Sequence, residues 1–164
     1  MVNLIELTTA MVATFQKIPP LVALLDQGAA SIVGYIDENP LKNSTSKAVY
    51  QMAAGSLLVV WIGTSIEASD AMLAWSHVIQ IYIRAQRGAS ALTIINALID
   101  GVPVPGDGLR WRYCPILDGT LPTEVRDTAR LVDEEGIDYF VVTTVTQETS
   151  DTEPIILTAE GEAI

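Results

Sequence analysis

The stretch "AWSHVIQIYIRAQ", Ala74 to Gln86, alternates with a period of two. Trp75, His77, Ile79, Ile81 and Ile83 fall in one row, and Ser76, Gln80, Tyr82 and Arg84 in the other. Successive side chains of a strand point to opposite faces, so this pattern is a strand with one core face; a helix would scatter the isoleucines around its axis. One apolar row must be covered by a second layer, which demands a sheet with something packed on it.

Other segments supply the rest of that sheet. "SLLVVWIG", Ser56 to Gly63, is apolar in both rows and belongs in the middle of a sheet. "SIVGYID", Ser31 to Asp37, reads as a short strand, and "LRWRYCPIL", Leu109 to Leu117, as a strand with one exposed face. "TEVRDTARLV" and "IDYFVVTTVTQET" alternate on either side of "DEEG". Gly136 offers the positive φ of a tight turn, and Asp133, Glu134 and Glu135 suit its solvent side, so the pair reads as a hairpin. "TSIEASDAML", Thr64 to Leu73, reads as a connecting loop, and Glu38 to Lys47 as a polar loop. "AVYQMAAG", Ala48 to Gly55, is ambiguous between a helical turn and irregular chain.

Two helices are expected. Leu4, Leu7, Met11, Phe15 and Ile18 recur at steps of three and four, with Asn3 as cap and Glu6 as the capping-box residue. Pro19 and Pro20 end that helix, and a short one follows from Leu21 to Gln27, stopping at Gly28. "ASALTIINALIDG" carries the second main helix, with Leu92, Ile95, Leu98 and Ile99 as its buried stripe and Gly101 as a left-handed cap. The expected fold is α+β, a mainly antiparallel twisted sheet with the two main helices on one face. A single domain takes residues 1–149, and residues 150–164 form an acidic tail or an edge strand.

Composition narrows the function. The net charge is −11 and lies mostly in the second half: residues 89–164 carry four bases and fourteen acids, and after Arg130 there are nine acids and no Lys or Arg. Such a surface repels nucleic-acid phosphates, which argues against Arg110, Trp111, Arg112 and Tyr113 as a stacking platform for single strands. Apolar residues make up 49 % of the chain and mean hydropathy is +0.35. No run approaches the roughly 18 apolar residues of a membrane span. The first residues lack the basic start of a signal peptide and contain Glu6. Cys114 is the only cysteine, so no intramolecular disulfide forms, and with a single histidine no ordinary zinc site is expected.

Chemistry is sparse. Phosphate-binding loops, dinucleotide fingerprints, nucleophile elbows, "HExxH" and "CxxC" are absent from the sequence. Asp133, Glu135 and Asp138 offer carboxylates for hydrolysis, but neighbours in an exposed turn point apart and stay solvated. "DEEGID" lacks the calcium-loop spacing. His77, alone in an apolar row, reads as a packing residue, with a base as the alternative. Cys114 reads as a small buried hydrophobe, with a nucleophile paired to His77 as the alternative.

In this order, "LVALLDQGAASIVGYIDENP", "AVYQMAAGSLLVVWIG", "WSHVIQIYIRA", "SALTIINALIDG" and "DEEGIDYFVVTTVTQET" resemble the tail-completion proteins, that is the tail terminators or head–tail neck proteins, of long-tailed bacteriophages. The resemblance runs from about Asn3 to Thr149 and rests on the order of the blocks. It implies a small α+β subunit in a homo-oligomeric ring, usually a hexamer, that stops tail-tube growth and joins the tail to the head connector. The implied partners are further copies of the chain, a tail-tube protein and a neck or connector protein, with genomic DNA passing through unbound. The implied location is the virion, assembled in the host cytoplasm; no membrane, cofactor, metal or catalytic residue is implied. The expected contact or lumen residues are Glu67 and Asp70 in the loop after Gly63, and Asp133, Glu134 and Glu135 at the hairpin tip. Two other classes remain open: a small-ligand or peptide-binding module, and a carboxylate hydrolase.

Overall fold

The structure, a computed structural model, describes residues 1–35, 48–49, 51–69, 72–85, 91–132 and 138–149, and of residues 67–69, 72–73, 132 and 138 the backbone alone. Helix α1 (Leu4–Phe15) starts where Asn3 Oδ1 accepts from the backbone N–H groups of Ile5 and Glu6. Leu7, Met11 and Phe15 are buried along it, and Ile18 beyond its end. Helix α2 (Pro19–Val22) begins on the prolines rather than after them. Proline at a first helical turn loses no bond, because that N–H has no partner in the helix anyway. The chain then turns at Gly28, φ +60°, through a 3-10 turn into strand β1 (Ile32–Tyr35).

Strands β2 (Ser56–Ser69), β3 (Met72–Arg84), β4 (Glu124–Val132) and β5 (Asp138–Gln147) complete one five-stranded sheet in the order β1-β2-β3-β5-β4. All pairings are antiparallel except β1 with β2. The fold is α+β as expected. Helix α1 lies against β1 and β2, and helix α3 (Ala91–Ile99) against β3 and β5. The covered face collects Leu57, Val59, Ile79, Ile81, Ile83 and Val142 beneath Leu7, Met11, Phe15, Ile94 and Leu98. Each such side chain taken fully from water contributes about 1.5–3 kcal/mol. The opposite face buries a smaller cluster of Met52, Leu58, Val60 and Tyr139, with Ala48 and Val49 in a helical turn beside it.

Several expectations are corrected. Thr64–Ser69 is not a loop: β2 continues through it after a bulge at Trp61/Gly63, in register with β3 down to Ser69↔Met72. The segment 109–117 is not a strand. Trp111–Tyr113 form a 3-10 turn that sends Trp111 inward and leaves Tyr113 exposed. Alternation there came from two arginines that reach back to the C-terminal end of α3, where Arg112 Nε donates to Ile99 O and both guanidiniums face Asp100. The stripe of α3 is Ala91, Ile94, Ile95 and Leu98, while Leu92 points to solvent. Gly101 is not a left-handed cap: among the described residues the positive-φ glycines are Gly28, Gly55, Gly108 and Gly119. It is required by closeness instead, since a Cβ there would stand 2.5 Å from Ile18 Cδ1. The pairing of β4 with β5 reaches Val132↔Asp138, as a hairpin requires. Its connection, residues 133–137, lies outside the described residues, as do the polar loop of residues 38–47 and the tail of residues 150–164.

Candidate functional site

Of the residues expected to contact partners, Glu67 lies within β2, opposite Ala74. Asp70, Asp133, Glu134 and Glu135 lie outside the described residues. What the structure adds is the setting of Glu67. The last row in which three strands meet is Ser65–Ser76–Gln147. Beyond it β2 and β3 run on as a pair through Ile66↔Trp75, Glu67↔Ala74, Ala68↔Leu73 and Ser69↔Met72. Four residues at about 3.3 Å each make a two-stranded arm of roughly 13 Å. Ile66 on it is 55 % exposed and Trp75 is partly buried.

The base of the arm is pinned by a polar network that spacing in the sequence does not announce. Thr64 and His77 are cross-strand partners, and His77 pairs on its other side with Thr146. The fully buried imidazole has its Nδ1 2.9 Å from Thr64 Oγ1, and Trp61 Nε1–H donates to that same oxygen at 3.2 Å. With Thr64 donating to Nδ1, the neutral tautomer carries its proton on Nε2. Nε2 stands 3.4 Å from Glu148 Oε2, a long contact in which neither atom has another partner. The other carboxylate oxygen accepts from the Val2 N–H and lies 3.8 Å from the amine of Met1. Glu148 N–H donates to Trp75 O, which ties the end of β5 to the arm. Burial pulls the His77 pKa below its ordinary value, against the opposing pull of the Glu148 carboxylate. Next to it, Thr123 and Thr146 share a buried hydrogen bond of 2.6 Å, and Thr144 donates to Ile79 O at 2.8 Å.

Hydroxyl, imidazole and carboxylate thus stand in the order of a nucleophilic triad, Thr64–His77–Glu148. The arrangement lacks what catalysis needs. His77 has no exposed surface, and the Thr64 oxygen already accepts the indole N–H. None of the three lines either of the two clefts below. The network therefore joins β2, β3, the end of β5 and the N-terminal segment; His77 is a buried packing residue with a hydrogen-bond partner, as expected, and it also pins these segments together.

The larger cleft, about 410 Å³, lies between the C-terminal turn of α1 and the segment after α3. Thr14, Lys17, Pro103, Pro105, Leu109 and Cys114 are among its walls. Cys114, expected as a small buried hydrophobe, is only partly buried, and His77 is absent from this cleft, so the two form no nucleophile–base pair. A second cleft of about 290 Å³ lies beside β1, lined by Gln27, Ser31, Val33 and Met52 among others. Trp111, 1 % exposed and donating its indole N–H to Leu98 O, presents no face on which a base could stack. Among the described residues no three His, Cys, Asp or Glu side chains gather as a metal site, and no helix is long and apolar enough to cross a membrane. The chain matches no protein-family model, and no curated protein matches it.

Proposed function

We propose that this chain is a structural virion subunit whose ring, of six copies, ends the tail tube of a long-tailed phage and docks the tail to the head connector. One observation carries the reading: the sheet continues past its own body as an arm that carries an exposed isoleucine and a partly exposed tryptophan. An isolated two-stranded hairpin is marginal in water, so such an arm is completed by contact with something else. The order of the sequence blocks, which resembles tail-completion proteins, supplies the partners: further copies, a tail-tube protein and a neck or connector protein. The net charge of −11 supports a DNA conduit, because a like-charged wall keeps the passing genome from sticking. In this reading Glu67, Asp70, Asp133, Glu134 and Glu135 steer partners and set specificity more than they supply affinity.

The test is removal of the protein from the phage. Overlong tails, or complete tails beside filled heads that do not join, are expected. Tails of normal length that fail only at joining place the ring in the neck, the nearest alternative. Normal infectious particles refute both. A second reading, a binding module for a small ligand or peptide, draws on the 410 Å³ cleft beside α1 and requires a monomer at every concentration.

A further inference from the structure

The arm stands on a chain of hydrogen bonds that runs one way. Trp61 Nε1–H donates to Thr64 Oγ1 at 3.2 Å, the Thr64 hydroxyl donates to His77 Nδ1 at 2.9 Å, and Nε2–H faces Glu148 Oε2 at 3.4 Å. Three donors meet three acceptors, and every group finds its partner only while the imidazole is neutral. The surroundings leave no slack. The ring has no exposed surface, and His77 Nε2 and Glu148 Oε2 have no partner but each other. The other Glu148 oxygen is taken by the Val2 N–H. A second proton on His77 turns Nδ1 from an acceptor into a donor. Thr64 Oγ1 then receives two N–H groups, and its own proton loses the acceptor it had. Among the described residues the Thr64 hydroxyl has no further partner to turn to.

We propose that this chain is an acid-operated latch: with His77 neutral it holds the arm on the body of the sheet, and a second proton on the imidazole releases the arm. Its place in the fold gives it that effect. The row Thr64–His77–Thr146 lies one step before the last three-stranded row, Ser65–Ser76–Gln147, and beyond that the arm is two strands wide. A two-stranded ribbon is marginal in water, so the arm belongs to the least stable part of the fold and opens without the body. Glu148 grips it twice, through its carboxylate on His77 and through its N–H on Trp75 O. From the elements packed on the ring, β2 brings Trp61 and Thr64 and β5 brings Thr146, none of which titrates here. The charged groups are Glu148 and the amine of Met1, 3.8 Å from its carboxylate. Glu148 draws the extra proton to the ring, the amine and burial oppose it, and burial is the largest influence. In the released arm the imidazole meets water and takes the proton near its ordinary value of about 6.5. Falling pH therefore favours release, the sign that a lowered folded pKa requires. The latch is a property of the single chain and stands apart from the ring reading, whose failure in the phage leaves it untouched.

His77 is the only histidine, so its ring signals in nuclear magnetic resonance titrate without ambiguity. Amide exchange of the full-length chain is followed between about pH 5 and 7.5, with and without urea below the unfolding transition, and corrected for the intrinsic pH dependence of exchange. The imidazole is expected to titrate below about 6.5. As it does, amides of residues 65–69 and 72–75 are expected to exchange faster by about threefold or more, without dependence on urea, as local opening does. Ile79 and Ile81, in the body of β3, are expected to exchange only by urea-dependent unfolding. His77→Gln, which cannot titrate, is expected to lose the pH step in the arm. A ring that titrates at or above about 6.5, arm amides that open only together with Ile79 and Ile81, or a pH step that survives in His77→Gln each overturns the latch. The first two results are read on the natural chain and decide the matter even where His77→Gln does not fold.

Discussion

Trp111 tests how the segment after α3 is built. A strand over residues 109–117 would put Trp111 and Tyr113 in the same row, and truncating either would cost a similar amount. The 3-10 turn separates them: Trp111 is 1 % exposed and Tyr113 is 57 % exposed. Trp111 meets Phe15 edge-on at a centroid distance of 5.1 Å and an interplanar angle of 73°. Removing a buried aromatic of this kind costs about 3–5 kcal/mol, of which roughly 0.5–1.5 kcal/mol belongs to the ring pair. Trp111→Phe keeps most of the packing and loses the N–H bond to Leu98 O. That carbonyl also accepts from Gly101 N–H at 3.2 Å, so it is not orphaned, and about 1 kcal/mol is expected. Tyr113→Ala is expected within about 0.5 kcal/mol of the natural protein. Against a total stability of about 5–15 kcal/mol, Trp111→Ala takes a large share. Urea unfolding followed by far-ultraviolet circular dichroism reads all three. With a slope of about 2 kcal/mol/M, a loss of 4 kcal/mol lowers the midpoint by about 2 M. Equal losses for Trp111→Ala and Tyr113→Ala would refute the turn and restore the strand.

Gly101→Ala drives a methyl to 2.5 Å from Ile18 Cδ1 and 3.0 Å from Ala97 O, and an overpacking cost of about 1–3 kcal/mol is expected in the same assay. Adding Ile18→Val removes the nearest atom, so the double variant should lose less than the sum of the two single ones. Ile81→Asp places a carboxylate at a position with no exposure, and a loss of several kcal/mol with insoluble or unfolded protein is expected; a folded variant of unchanged melting temperature would mean the inward row is misassigned. For His77 the folded pKa lies below the ordinary 6.5, so the unfolded chain takes up the proton first. Its stabilising effect is therefore complete above about pH 6.5 and is lost as pH falls towards the lowered folded value. Urea midpoints measured between about pH 5 and 8 should show that decline in the natural protein and a flatter profile in His77→Gln.

The fold was legible where apolar periodicity met a covering layer. In β3 the isoleucines recur every second residue, and a helix layer lies on that row, so pattern and burial coincide. Leu7, Met11 and Phe15 repeat the agreement at helical spacing. The sequence misled where polarity followed something other than the core. "TSIEASDAML" is small and polar, and reads as a loop because a two-stranded arm in water has no buried row to write into its sequence. "LRWRYCPIL" alternates, but its arginines answer to Asp100 and to the carbonyls ending α3 rather than to a neighbouring strand. Gly101 looked like a helix cap because a glycine after a helix usually is one; the close approach of Ile18 comes from a residue more than eighty positions away, which no local pattern contains.

The polar pin at the arm was beyond reach for a related reason. Thr64 and His77 lie within β2 and β3 and Glu148 just after β5, and only the register of β2 on β3 and of β5 on β3 brings them together. One signal was present: a histidine in an apolar row must find partners or stay neutral, since a buried imidazole with neither is costly. That requirement says partners exist without saying which. Once they are known, the bulge at Trp61/Gly63 gains a reason. It inserts a residue into β2 just before Thr64, after which odd-numbered inward positions give way to even ones, so that Thr64 faces His77 and Ile66 faces Trp75 on the helix-covered side. Without the extra residue the inward row would continue through Gly63 and Ser65, and both the hydroxyl that His77 needs and the isoleucine of the arm would turn to the opposite face. The bulge therefore couples the two features: the same one-residue shift that satisfies the buried imidazole also sets which face of the arm is apolar.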